Sequence, residues 1–223
     1  MSHLPELMCY RCATILPLAS VTHPVQPKSV RKTDEQIEVI LNGCKLNQRG
    51  AQKALYQSYY GYVMSIAFRY ASSYDNAVEM TNDAFLKIYR DLKNFVPRYD
   101  NAVASFTARL KKIAVYACVD YIRKYNKTEM MADVNPGDVI LADEKETAEQ
   151  ILQHKEIIKC IQQLSPAYRA VFNLYVIEGF SHAEISDKLN ISESTSKTNL
   201  YRARQNLQQL LRESDIVNYE RVL

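Results

Sequence analysis

From Thr33 onward, apolar residues recur at three- and four-residue steps, with polar residues between them on the opposite faces. That period predicts amphipathic helices, because 3.6 residues complete one turn. A first helix is expected over about Asp34–Asn42, with Ile37, Ile40 and Leu41 inward. A second follows Gly50 and uses Ala51, Leu55, Tyr59, Val63, Ile66 and Tyr70. A third spans about Ser73–Asn94, where Ala77, Met80, Ala84, Ile88, Leu92 and Phe95 form one stripe and Asp83, Lys87, Arg90 and Asp91 lie off it. Pro97 and Asp100 interrupt the pattern in a loop. A fourth helix runs from about Val103 to Lys127, with Phe106, Leu110, Ile113, Ala117 and Tyr121 inward. Helices resume near Ala148: Ile151, Ile158, Ile161 and Leu164 carry one, and Val171, Leu174, Tyr175 and Ile177 carry the next, which Gly179 closes. No stretch alternates with a strand period, so the expected fold is all-α.

The last helical stretch, SHAEISDKLNISESTSKTNLYRARQNL (Ser181–Leu207), reads as a helix-turn-helix. Ser181 followed by Glu184 fits a capping box, in which hydroxyl and carboxylate satisfy each other's free backbone N–H groups. Ala183, Ile185 and Leu189 supply an inward face, and Asn190 suits the turn. Ser192 is placed to cap the second helix, along which Ser196, Leu200, Ala203, Leu207 and Leu210 follow the helical period. From Lys197 to Arg212 this helix carries four cations and no acid. Such a helix can enter the DNA major groove with its first residues on base edges and its cations on phosphates. A basic amphipathic hairpin packed on its own domain satisfies the same pattern.

Charge changes the picture more than composition does. The 223 residues are 47% hydrophobic and 24% charged, a globular profile with a net charge of only +3. The distribution is uneven, however. Lys87–Lys127 holds ten cations against three acids, and Thr128–Glu149 holds seven acids against Lys145. Two basic regions are thus separated by an acidic stretch, which also contains the turn signal Asn135-Pro136-Gly137. The organisation expected is an irregular, proline-bearing extension over 1–32, a helical domain over 33–127, an acidic linker over 128–148, a helix-turn-helix domain over 149–212 and a tail over 213–223. On the fourth helix, Arg109, Lys112, Tyr116, Arg123 and Lys127 share a stripe. Cations beside aromatics suit single-stranded nucleic acid, the charges tracking phosphates and the rings accepting stacked bases; a solvated face with Tyr covering a core edge fits equally.

The five cysteines, an odd number, suggest reduced thiols in a reducing compartment. Cys9-x-x-Cys12 lacks a second pair at metal-site spacing, so no metal centre is expected. No apolar run is long enough to span a bilayer, and the first residues lack a basic signal-peptide start, so a cytoplasmic protein without membrane insertion is expected. With no phosphate-cradling glycine loop and no His/Asp/Glu cluster, no catalytic residue and no cofactor are expected, and the protein is not read as an enzyme.

AVEMTNDAFLKIYRDLKNF (Ala77–Phe95), SFTARLKKIAVYACVDYIRK (Ser105–Lys124) and LSPAYRAVFNLYVIEGFSHAEISDKLNISESTSKTNLYRARQNL (Leu164–Leu207) occur in the order found in bacterial sigma factors. The chain resembles the extracytoplasmic-function group of the sigma-70 family. The resemblance implies that the first segment docks on RNA polymerase, through Met80, Asp83, Phe85, Leu86 and Tyr89, of which Met80 also sits on the inward stripe. It implies that the loop and helix around the second open the −10 promoter element. Arg98, Tyr99, Asp100 and Asn101 would capture an unpaired base, and Arg109, Lys112, Tyr116, Asp120, Arg123 and Lys124 would line the melting DNA. It implies that the third reads the −35 element through Ser194, Thr195, Lys197, Thr198, Asn199, Tyr201, Arg202 and Arg204, with Arg204 late enough in the helix to touch phosphate or its own domain instead. Implied partners are bacterial core RNA polymerase and promoter DNA, duplex at −35 and single-stranded at −10. An anti-sigma factor is a further partner that the resemblance admits.

Two positions depart from the family pattern: Arg109 stands where Trp is usual, and Tyr116 where Asn is usual. The first puts a charge in place of a buried anchor, so the packing there must differ. The second alters the presumed DNA face. A conventional helix-turn-helix regulator, with 33–127 as a ligand or dimerisation domain, remains the alternative, and a regulatory protein that sequesters a sigma factor is a more remote one.

Overall fold

The computed structural model describes residues 32–97, 101–125 and 148–213, with side chains of the last stretch from Glu156 onward. The described residues are helical and include no strand: α1 (Asp34–Lys45), α2 (Arg49–Tyr70), α3 (Tyr74–Leu92), α4 (Ala102–Tyr125), α5 (Ala148–Gln163), α6 (Pro166–Phe172), α7 (His182–Leu189) and α8 (Glu193–Glu213). The acidic stretch and both termini of the sequence fall mostly outside the described residues, as do Arg98, Tyr99 and Asp100.

Local chemistry sets the helix ends. Thr33 caps α1 in a capping box with Gln36, and Asp34 and Glu35 complement the positive end of the helix dipole. Ser73 caps α3 by accepting from the Asn76 N–H at 3.2 Å. Between α1 and α2, Gly43 is required by close approach: a Cβ there would lie 2.6 Å from the Ala51 Cβ. α3 and α4 are amphipathic and turn Ala77, Met80, Ala84, Phe85 and Ile88, and Phe106, Leu110, Ala114, Ala117 and Cys118, into the core. Ile113, expected inward, is only partly covered.

α2 behaves differently. Leu55, Tyr59, Tyr62, Val63, Met64, Ile66, Ala67, Phe68 and Tyr70 are all buried, which takes in more of its circumference than one stripe. A helix apolar nearly all round has to be enclosed. Here α1, α3 and α4 pack against it, and α5 and α6 pack against it as well. The first four helices and the last four therefore meet along α2, and one hydrophobic cluster runs from Ile37 to Leu211.

In the last four helices, Pro166 opens α6 at a position where its missing N–H has no partner to lose. α6 continues into a π-helical turn, Asn173–Ile177, and Gly179, at φ +77°, makes the reversal into α7 in a conformation that L-residues avoid. Ile185, Leu200, Ala203, Leu207 and Leu211 then join Val171, Phe172 and Leu174 in the core. Two inward assignments shift. Ala183 is exposed, and Leu211 takes the buried place expected for Leu210, which lies half-covered. Over 21 residues α8 drifts away from a strict three-four spacing, so its buried stripe rotates by one position at the end.

Candidate nucleic-acid interface

The helix-turn-helix is built as its sequence requires. Ser181 N–H donates to Glu184 Oε2 at 2.9 Å while Ser181 Oγ accepts from Glu184 N–H at 3.3 Å, closing the capping box. The Ser181 N–H and its hydroxyl, which donates to the same Oε2 at 2.8 Å, hold the Glu184 pKa below its ordinary value by bonding to the ionised carboxylate. Asn190 ends α7 in the left-handed region at φ 54°. Ser192 Oγ accepts from the Thr195 N–H at 3.0 Å and so caps α8. The two helices are pinned by His182, whose Nδ1 lies 2.9 Å from the Oγ of fully buried Ser196, and whose ring stacks on Tyr175 at 4.6 Å. Partial burial, with Lys197 and Arg204 nearby, holds the His182 pKa below its usual value.

The outer face of α8 presents Ser194, Thr195, Lys197, Thr198, Tyr201 and Arg202 to solvent, with Asn199 half-covered between them. Tyr201 is 64% exposed, a large ring without a core role. Arg202 Nη1 donates to the Tyr168 hydroxyl of α6 at 3.3 Å, which holds the guanidinium beside the helix. Lys197 has only a loose pairing with Glu193 at 3.9 Å between exposed side chains, and pairs of that kind contribute little. Arg204 differs: it is half-buried, and its Nε is enclosed without a partner. It belongs to the packing of its own helices.

On α4 the expected DNA stripe divides. Lys112, Arg123 and Lys124 are exposed, with Lys124 lying 4.8 Å over the Tyr125 ring. Arg109 pairs through both Nε and Nη2 with Asp91 of α3, and this hydrogen-bonded ion pair raises its pKa. The charge that stands in place of a family Trp is therefore neutralised by its neighbour helix, and Arg109 is not free for phosphate. Asp120 likewise accepts from Lys87 at 2.6 Å. Asn101 donates to Asp34 at 3.0 Å and accepts from the Ala104 N–H at 2.8 Å, so it caps the start of α4. Arg98, Tyr99 and Asp100 lie outside the described residues. Tyr116 is covered in part by the other helical group: Lys188 of α7 donates to its hydroxyl at 3.3 Å and sits 4.5 Å over its ring, with Phe180 beside it.

On α3, of the five residues expected to dock a partner, Asp83 and Leu86 face solvent, Leu86 at 55% exposure. Met80 and Phe85 are in the core and cannot reach a partner while the fold stands. Tyr89 is intermediate, and its hydroxyl donates to the Gln52 carbonyl at 3.0 Å. The inward stripe of an amphipathic helix cannot also be its docking face, which is the reason Met80 and Phe85 drop out.

A second set of polar residues went unseen in the sequence. Arg69 and Lys111, from the first four helices, each reach Glu178 at 2.9 Å. Arg169 is fully buried and donates to the Gln162 carbonyl and to Ser72 Oγ, both at 2.6 Å. Burial without a carboxylate partner among the described residues lowers its pKa to about 10. The signal available in sequence was indirect: Tyr62, Met64 and Phe68 lie off the apolar stripe of α2 and so required a second covering surface.

Two family models match the chain: Sigma-70 region 2 over residues 55–128 and Sigma-70, region 4 over residues 154–207. Together they take in more than half of it. Among curated proteins it is similar to an ECF RNA polymerase sigma factor SigE from Mycolicibacterium smegmatis, 26% identical over 67% of this chain and 57% of that one, so it spans little more than half of that relative's length. It is also similar to an ECF RNA polymerase sigma factor SigM from Bacillus subtilis, 26% identical over 70% of this chain and 92% of that one. Among solved structures, the sigma factor RpoE in complex with the anti-sigma factor NepR from Bartonella quintana covers 80% of this chain and 95% of that chain, at 17% identity and a TM-score of 0.40.

Proposed function

This chain belongs to the sigma-70 family of RNA polymerase sigma factors, in the extracytoplasmic-function group, and we propose that it directs core polymerase to a specific set of promoters. The single observation that carries the residue-level reading is the outer face of α8, where Ser194, Thr195, Lys197, Thr198, Tyr201 and Arg202 stand clear of the core on a helix capped at its start by Ser192 and led into by α7, itself capped at both ends. That face reads the −35 duplex, Ser194, Thr195 and Thr198 on base edges and Lys197 and Arg202 on phosphates. Asp83 and Leu86 form the outer part of the polymerase-docking face of α3. Lys112, Tyr116, Arg123 and Lys124 line the −10 strand.

Strand opening is driven by binding. Each base taken out of the stack costs a few kcal/mol, and stacking on aromatic rings together with phosphate neutralisation offsets it. The chemistry of RNA synthesis belongs to the polymerase, and the chain acts by recognition, in the cytoplasm where that enzyme works. No helix among the described residues is long and apolar enough to cross a membrane. An anti-sigma factor is a natural further partner for such a protein.

The test is run-off transcription with bacterial core polymerase on a library of promoter fragments, with and without this protein. Transcripts that start at discrete sites only when the protein is present are the expected result. Binding to duplex fragments with no protein-dependent transcript would overturn the reading and point to a conventional helix-turn-helix regulator.

A further inference from the structure

Tyr168 lies on α6, ahead of the helix-turn-helix in the chain. Its ring is packed in part against the hydrophobic cluster, so the core sets its place. Its hydroxyl reaches across to α8 and accepts from Arg202 Nη1 at 3.3 Å. Arg202 stands on the exposed outer face of α8, about one turn beyond Thr198 and about two turns beyond Thr195.

The partner of this cation differs in kind from those that tie helices together elsewhere. Arg109 is paired with Asp91, and Arg69 and Lys111 with Glu178, and a carboxylate cancels the charge it holds. A phenol is neutral. It orients the guanidinium and leaves the positive charge for a second, anionic group. The hydroxyl also has a proton left over: a phenol offers one O–H donor besides its lone pairs, and among the described residues this oxygen only accepts, from Arg202. The remaining guanidinium N–H groups and the Tyr168 O–H are therefore donors side by side, at the flank of a helix whose first residues face outward. Neighbouring Tyr201 repeats the arrangement, its hydroxyl accepting from Gln205 Nε2 at 2.9 Å and keeping its own proton for the outside. A helix in the major groove turns its base-reading residues inward and meets the sugar-phosphate walls along its flanks. The acceptor that fits such a pair of donors is a charged oxyanion, and the backbone phosphate is the group of that kind on those walls.

We propose that Tyr168 is a DNA-binding residue, its hydroxyl and the Arg202 guanidinium clamping one backbone phosphate of the −35 duplex from two different helices. The inference deepens the sigma-factor reading and rests on it for the identity of the duplex. The clamp fixes how α8 sits in the groove, because donors on separate helices share one phosphate only at one rotation and depth of α8. Holding the guanidinium against a core-packed ring before DNA arrives also lowers the cost of ordering it in the complex.

The test compares wild type, Tyr168→Phe and Arg202→Ala as polymerase holoenzymes on a −35-containing promoter duplex found by run-off transcription. Tyr168→Phe keeps the ring and its packing, so its thermal midpoint should match wild type. Loss of one hydrogen bond to a charged group should weaken binding about tenfold. The salt slope should stay at the wild-type value, since a neutral phenol displaces no counterion, whereas Arg202→Ala lowers it by about 0.9. Replacing single phosphates by uncharged methylphosphonate should then reveal the shared group: one position where wild type loses affinity and both variants lose less. Wild-type affinity in Tyr168→Phe would overturn the clamp. So would a slope lowered as in Arg202→Ala, which would make the phenol a support for the arginine alone, or sensitivity lost at two different phosphates. If no fragment gives a protein-dependent transcript, the sigma reading fails. The same three proteins on duplex enriched by the free chain from a random pool then decide the clamp, and failure to enrich any duplex would overturn it too.

Discussion

Replacing Arg202 by Ala should weaken holoenzyme binding to promoter DNA by a mechanism that salt reveals. Arg202 is exposed on the outer face of α8, and its guanidinium is steadied by the Tyr168 hydroxyl at 3.3 Å without being paired to a carboxylate among the described residues. It is therefore available to one phosphate. Each phosphate neutralised contributes about 0.9 to the slope of log affinity against log salt for duplex DNA. Between 50 and 200 mM salt, a fourfold range, the ratio of wild-type to variant affinity should accordingly fall by about 3.5-fold. The assay is filter binding or anisotropy of holoenzyme on a −35-containing promoter duplex across that range. Arg204→Ala serves as the contrast. Its side chain is half-buried with an enclosed Nε, so it should lower the stability of the helix-turn-helix half and leave the slope unchanged. A slope for Arg202→Ala equal to wild type, or an altered slope for Arg204→Ala, would refute this assignment of the two arginines.

Leu207 is completely enclosed by the last four helices, so Leu207→Ala should cost roughly 3 kcal/mol; a denaturant-unfolding loss below about 1 kcal/mol would mean the site is not filled as described. Asp83→Arg reverses charge on the exposed face of α3 and should abolish co-purification with core polymerase while helicity is kept, whereas Phe85→Arg, in the core, should unfold the first helices; an Asp83→Arg protein still retained by polymerase would remove this face from the interface. The pKa of His182 is held below its usual value of 6.5, so the fold favours the neutral ring. That preference leaves stability intact above pH 6.5 and removes it as pH falls below, because the unfolded chain then takes up the proton more readily. Thermal midpoints from pH 8 to pH 5 should drop more steeply for wild type than for His182→Gln, and parallel curves would exclude the His182–Ser196 contact as the cause.

The amino-acid sequence by itself determined the helices, their caps and most of the inward faces. Thr33, Ser73, Ser181 and Ser192 act through backbone groups within three residues of themselves, and amphipathic periods such as Ala77–Met80–Ala84–Ile88 announce their buried side without reference to the rest of the chain. The outer face of α8 was legible for the same reason: once Ser196, Leu200, Ala203 and Leu207 face inward, Lys197, Thr198, Tyr201 and Arg202 must face out. Side-chain pairing between distant helices was decided by tertiary structure alone. Arg109 reads as a DNA cation until Asp91 of α3 is seen beside it, and Phe85 reads as a docking residue until α2 is seen to cover it. Glu178 is 109 residues from Arg69 and 67 from Lys111, and no local period predicts that the three meet. Periodicity fixes which face of a helix seeks cover. What provides the cover, and which charges are spent in doing so, depends on packing between segments far apart in the chain.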